Sequence, residues 1–170
     1  MLISKDLNDA INKQIGSEFG ASMQYLSIAA HFDTDALPNF AQFFYLQSEE
    51  EREHAMKFLK YLMDAGGELA IPEIPAPIPT FSSAEEAVKA ALDWELEVTD
   101  QINNLMDIAI EKKDYIAQQF LNWFTNEQLE EVSTMDTLLS LVRRAGEKNL
   151  LQIERMVMDL REEEGTEASE

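Results

Sequence analysis

Cysteine is absent from this 170-residue chain. That excludes disulfides, thiolate zinc sites and thiol nucleophiles together. Glycine and proline are scarce, at six and five residues. Four of the prolines fall between positions 72 and 79, which leaves long stretches free of helix breakers. Positive charge is also scarce: 13 lysines and arginines face 33 aspartates and glutamates, a net charge of −20. Nucleic acid and anionic membranes are polyanions, so neither is expected as a partner, whereas cations are. No apolar run reaches the roughly 18 residues that a membrane span requires. The opening "MLISKDLNDAINKQ" has no basic stretch followed by an apolar one, so no secretory signal is expected and a cytoplasmic protein is. The remaining composition, 45% apolar and 27% charged, suits one globular domain with a sizeable core.

The breakers that do occur divide the chain into helices. Ser4 can cap a first helix from Lys5 to about Asp33. "DTDALPNF" turns the chain, and Pro38 suits the first turn of a second helix, which "AGG" at 65–67 stops. "ELAIPEIPAPIPTF" is too rich in proline for helix and too apolar for a loose linker. It reads as an extended strap across a bundle. Ser82 or Ser83, followed by Glu85 and Glu86, resembles a capping box for a third helix that ends near "EKKD". A fourth helix runs from about Asp114 to Arg144, closed by Gly146, and a short fifth covers 148–160. The acidic end, 161–170, reads as a disordered tail beyond a single domain of residues 1–160. Two tight turns and one long crossover predict an all-α four-helix bundle with a short fifth helix. No alternating strand pattern is found.

Each long helix has an apolar stripe at steps of three and four, and a glutamate interrupts every one. Glu18 follows Leu7, Ile11 and Ile15. Glu51 and His54 lie between Phe44 and Phe58. Glu95 lies between Ala91 and Val98. Gln128 and Glu131 lie between Phe124 and Met135. These four glutamates fall near the midpoints of their helices, and midpoints meet at one level in an antiparallel bundle. The pattern therefore predicts a layer of four carboxylates in the core, with His54 and Gln128 beside it. Such a layer needs either protons or cations, because a lone buried carboxylate costs several kcal/mol or more. No lysine or arginine falls on these stripes. Oxygen donors with one imidazole suit iron or manganese, and a carboxylate can bridge two hard ions. The competing reading is a metal-free structural bundle with proton-sharing glutamates. Glu49, Arg52 and Glu53 read as solvated. Glu50, Glu127 and Glu130 flank the buried face and are candidates for a looser third metal position. Tyr25 can orient a ligand through its hydroxyl. Trp123 reads as packing and His31 as a charge partner of its helix C-terminus.

"IGSEFGASMQYL", "EEEREHAMKF", "ALDWELEVTDQINNL" and "FLNWFTNEQLEEV" together resemble the ferritin family, and within it the bacterial non-haem ferritins. The resemblance implies a di-iron site. Glu18 and His54 would be terminal ligands of one iron, Glu51 the bridge, and Glu95 and Glu131 ligands of the second, with Gln128 nearby. It further implies a third iron site from Glu50, Glu127 and Glu130, shared through Glu131, and an orienting role for Tyr25. Members build hollow 24-subunit cages, oxidise Fe(II) with O2 or H2O2, and store ferric mineral. No haem is expected, since Arg52 and Glu53, not methionine, separate Glu51 from His54. "YIAQQFLNW" lacks the carboxylates that line the three-fold pore of animal ferritins. A rubrerythrin-like oxidase or peroxidase is the other enzymatic reading, but without cysteine it could not carry its usual rubredoxin-type centre.

Overall fold

The computed structural model describes residues 2–167, and all regular structure there is helical. Helix α1 spans Lys5–Thr34, α2 Pro38–Asp64, α3 Ala84–Glu111, α4 Tyr115–Ala145 and α5 Leu150–Glu167. A short 3-10 turn, Glu147–Asn149, precedes α5. The caps follow side-chain chemistry. Ser4 Oγ accepts from Leu7 N–H, Asp114 from Ala117 N–H, and Ser83, not Ser82, is the N-cap of α3. Glu86 completes that box by accepting from the Ser82 backbone and hydroxyl. Helix α5 begins two residues later than expected and continues past Leu160 through Glu167, where the sequence suggested disorder. Glutamate and arginine are good helix formers, so an acidic run is compatible with either state. Residues 168–170 of the expected tail lie outside the described residues.

Turns of three residues each return the chain between α1 and α2 and between α3 and α4, which makes each pair antiparallel. Helices α2 and α3 then run the same way, and residues 68–81 carry the chain back. An extended segment covers about 3.1 Å per residue against about 1.5 Å in a helix, so it spans a bundle twice its own length in residues. Side chains of α1 hold the strap by its backbone. Asn8 exchanges two hydrogen bonds with Glu68, at 2.8 and 3.2 Å, and Gln24 Oε1 accepts from Ile78 N–H at 2.9 Å. Close approach needs glycine. A Cβ on Gly16 would stand 2.6 Å from Pro72 Cγ, and one on Gly20 3.1 Å from the Trp94 ring.

Among the described residues, the core is two apolar clusters and not one. The first contains Tyr25, Phe32, Phe40, Phe44, Val88, Met135 and Leu138. The second contains Leu7, Ile11, Ile15, Phe58, Leu62, Val98, Leu121 and Phe124. Read along any of the four long helices, a polar segment separates them. Helix α5 packs against α2 and α4. Among the described residues, no helix is long and apolar enough to cross a membrane.

Candidate metal centre

The polar segments meet at one level. Glu18, Glu51, Glu95 and Glu131 come from four different helices, and each is at most 4% exposed, as is His54. The helical period sets their face, and the antiparallel pairing sets their height. Among the described residues, no lysine or arginine is buried. His54 is thus the single side-chain cation available to four interior carboxylates.

The donors form three groups, each with ligand atoms within 4.8 Å of one another. Glu18, Glu51 and His54 make the first. Glu51, Glu95 and Glu131 make the second, so Glu51 belongs to both. The third joins His54, Glu127 and Glu131. The imidazole reaches in two directions: Nδ1 lies 3.5 Å from Glu51 Oε2, and Nε2 lies 3.7 Å from Glu127 Oε1. Two buried carboxylate oxygens, Glu18 Oε2 and Glu51 Oε1, have no hydrogen-bond partner. Orphaned anionic oxygens beside a hard-donor set are what a hard metal ion satisfies.

Without metal, the layer is an electrostatic burden. Burial, together with repulsion from Glu51, raises the Glu18 carboxyl well above its usual range. Burial and Glu95 do the same to Glu131, and Glu51 is raised for the same reasons. Burial pushes Glu95 up to about 7, although hydrogen bonds from Tyr25 and Gln128 oppose the shift. Burial alone would lower His54, but Glu51, Glu127 and Glu18 outweigh it and hold the imidazole well above its ordinary value.

Neighbouring side chains orient the carboxylates. The Tyr25 hydroxyl donates to Glu95 Oε1, and burial among Glu95, Glu51 and Glu131 keeps it a phenol by raising its pKa. Gln128 Nε2 is 3.2 Å from Glu95 Oε2, the Glu95 carbonyl and Thr99 Oγ1, so its amide hydrogens are directed at α3. Sequence reasoning passed over two further amides. Gln14 Nε2 donates to Glu18 Oε1 at 2.9 Å, and Gln47 Nε2 donates to Glu131 Oε2 at 2.6 Å. Gln14 stands one turn before Glu18, a spacing that points to it; Gln47 reaches across to α4, and nothing local marks that.

The outer candidates separate. Glu127 joins a donor group, whereas Glu50 joins none and is ion-paired with Arg161 of α5 at 2.6 Å. Glu130 is half-buried and also outside the three groups. Trp123 does more than pack: its ring stands edge-on to His54, with centroids 5.4 Å apart, and carries Lys57 Nζ 3.3 Å above it. His31 lies in the last turn of α1, with Nε2 3.7 Å from Asp35 Oδ2.

Residues 8–145 match the Ferritin-like domain family. The chain is similar to Ferritin BfrB of Mycolicibacterium smegmatis, with 45% identity over 86% of this chain and 81% of that protein. It is 40% identical to the bacterial non-heme ferritin of Staphylococcus haemolyticus, over 86% of this chain and 88% of the relative. Among solved structures, the open-pore ferritin of Archaeoglobus fulgidus superposes with a TM-score of 0.88 at 30% identity, covering 92% of this chain and 96% of that one.

Proposed function

The chain belongs to the ferritin family, and from that premise we propose that it stores iron and oxidises Fe(II) on the way to storage. One observation supports the oxidation step above all: two donor groups, Glu18–Glu51–His54 and Glu51–Glu95–Glu131, share Glu51. A shared carboxylate holds two substrate ions close enough to be oxidised as a pair. Each Fe(II) gives up one electron. O2 takes both with two protons and ends as hydrogen peroxide, or H2O2 takes both with two protons and ends as two water molecules. A paired site avoids a one-electron product. The residues contribute charge, geometry and a site formed in advance, while the redox chemistry belongs to the metal.

The surrounding groups have definable parts in this. Gln14 and Gln47 fix one oxygen each of Glu18 and Glu131, leaving the other oxygen to the metal. Tyr25 and Gln128 fix Glu95 from two sides. Ferric product then leaves for the interior of a hollow assembly, for which we expect 24 subunits. Fe(II) added aerobically to the metal-free protein should produce a ferric absorbance rise in the near ultraviolet. A Glu51→Ala, His54→Ala variant that oxidises iron at the wild-type rate would refute the site. Size-exclusion chromatography with metal analysis separates the storage cage from a metal-free bundle of low mass.

A further inference from the structure

Two positive side chains stand at the rim of the carboxylate layer, and the proposed oxidation uses neither. Arg161 lies on α5, outside the four-helix bundle. Its Nη2 donates to Glu50 Oε2 at 2.6 Å. The pair is partly buried, with side chains 18% and 33% exposed, and the guanidinium carbon lies 5.9 Å from the Phe43 ring centre. The placement is supported from the same face of α5, two turns earlier. There Glu154 accepts from the backbone N–H groups of Asn39 and Phe40, at 3.1 and 3.3 Å, and its carbonyl accepts from the Asn39 amide. A carboxylate at the start of α2 is favoured by the helix dipole as well as by these bonds. Helix α5 is thereby pinned along α2, with Arg161 over Glu50. Lys57, seated on Trp123, is the second cation, and the charges of Glu127, Glu53 and Glu50 all act on it.

Glu50 directly precedes the shared Glu51, and its charge is felt at Glu131. It is thus within electrostatic reach of the layer, yet it belongs to none of the three donor groups. We propose that Arg161 is a built-in counter-ion that withdraws Glu50 from metal binding, so that the bundle of each subunit holds two metal ions and not three. This rests on the two-position reading above. A third ion would have to displace the guanidinium or lie beside it, and breaking a partly buried ion pair leaves an uncompensated charge. Without Glu50, the outer group retains Glu127 as its one donor not shared with the inner positions, and a single unshared carboxylate is a poor site for a hard ion.

Zn(II), which undergoes no redox chemistry, is the probe. It is titrated calorimetrically into metal-free, assembled, full-length protein, with bound zinc counted after gel filtration. Two ions per subunit are expected in the wild type, and a third in Arg161→Ala, which disappears again in Arg161→Ala, Glu50→Ala. Arg161→Lys keeps the count at two. If Arg161→Ala fails to assemble, Glu50→Gln decides alone: the count stays at two if Glu50 is no ligand and falls by one if it is. Three ions in the wild type, no gain in an assembled Arg161→Ala, or a loss in Glu50→Gln overturns the proposal while leaving the paired site intact. Fewer than two ions in the wild type overturns the paired site itself.

Discussion

Two sets of acids lie within about a turn of each other on α2 and α4, and they are neutralised by different means. The inner set, Glu18, Glu51, Glu95 and Glu131, is buried with one imidazole and no lysine or arginine. The outer acids Glu50 and Glu127 are half-buried; Glu50 is ion-paired with Arg161, while Glu127 acts on the charge of Lys57 and lies 3.7 Å from His54 Nε2. A partly buried ion pair settles its own charge and needs no further cation. A buried cluster without a counter-ion stays costly until protons or metal ions arrive. The inner set therefore keeps a need for protons or cations that the Glu50–Arg161 pair lacks, and that need is what supports the proposed metal site.

The sharpest break of this contrast removes the inner donors. Glu51→Ala with His54→Ala takes ligands from both metal positions, so iron oxidation should fall by more than about 100-fold, beyond the 10- to 100-fold usual for groups that only orient ligands. Stopped-flow absorbance after aerobic Fe(II) addition measures it. The same contrast predicts an unusual pH dependence. In the metal-free protein, Glu95 is pushed from 4.5 up to about 7. The folded state then keeps a proton that the unfolded chain has lost, so this stability is complete below pH 4.5 and drains away as pH rises to about 7. Glu18, Glu51, Glu131 and His54 are all raised and act in the same direction. Thermal unfolding of chelated protein should show stability falling between about pH 5 and about pH 7.5, on the order of 3 kcal/mol from Glu95 alone. Metal binds the deprotonated ligands, so loading with Zn(II) should abolish the decline.

Smaller effects refine the picture. Gln47→Leu frees one oxygen of Glu131 and should weaken metal binding by about 10-fold, with assembly intact, as read by calorimetry. At the far end, Lys89 pairs with Asp93 on the exposed face of α3. Lys89→Ala should leave both metal binding and the melting temperature unchanged within error, because a solvated pair needs no rescue.

How far the site could be read in advance follows the same division. Glu18, Glu51, His54, Glu95 and Glu131 were legible because each interrupts an apolar stripe, and a stripe is a property of one helix. Their common level was legible because two short turns force antiparallel neighbours. Glu50 was placed with the metal-binding acids on the strength of its position beside the stripe. What the sequence does not show is its ion pair with Arg161, 111 residues away, on which the proposal of two ions rests. Trp123 likewise reads as packing until α4 is set against α2, when its ring meets His54.

The amino-acid order by itself determined the helices, the strap and the four acids facing inward, since propensity, breakers and a 3.6-residue period act over a few turns of one chain segment. It also determined that those acids would lack lysine or arginine partners, because none lies on the buried stripes. Only the tertiary structure decided which carboxylates stand close enough to share an ion, which glutamine holds which oxygen, and which acid is ion-paired with α5. Those outcomes depend on the rotation of one helix against another and on where α5 docks, and a contact between distant segments leaves no period in either.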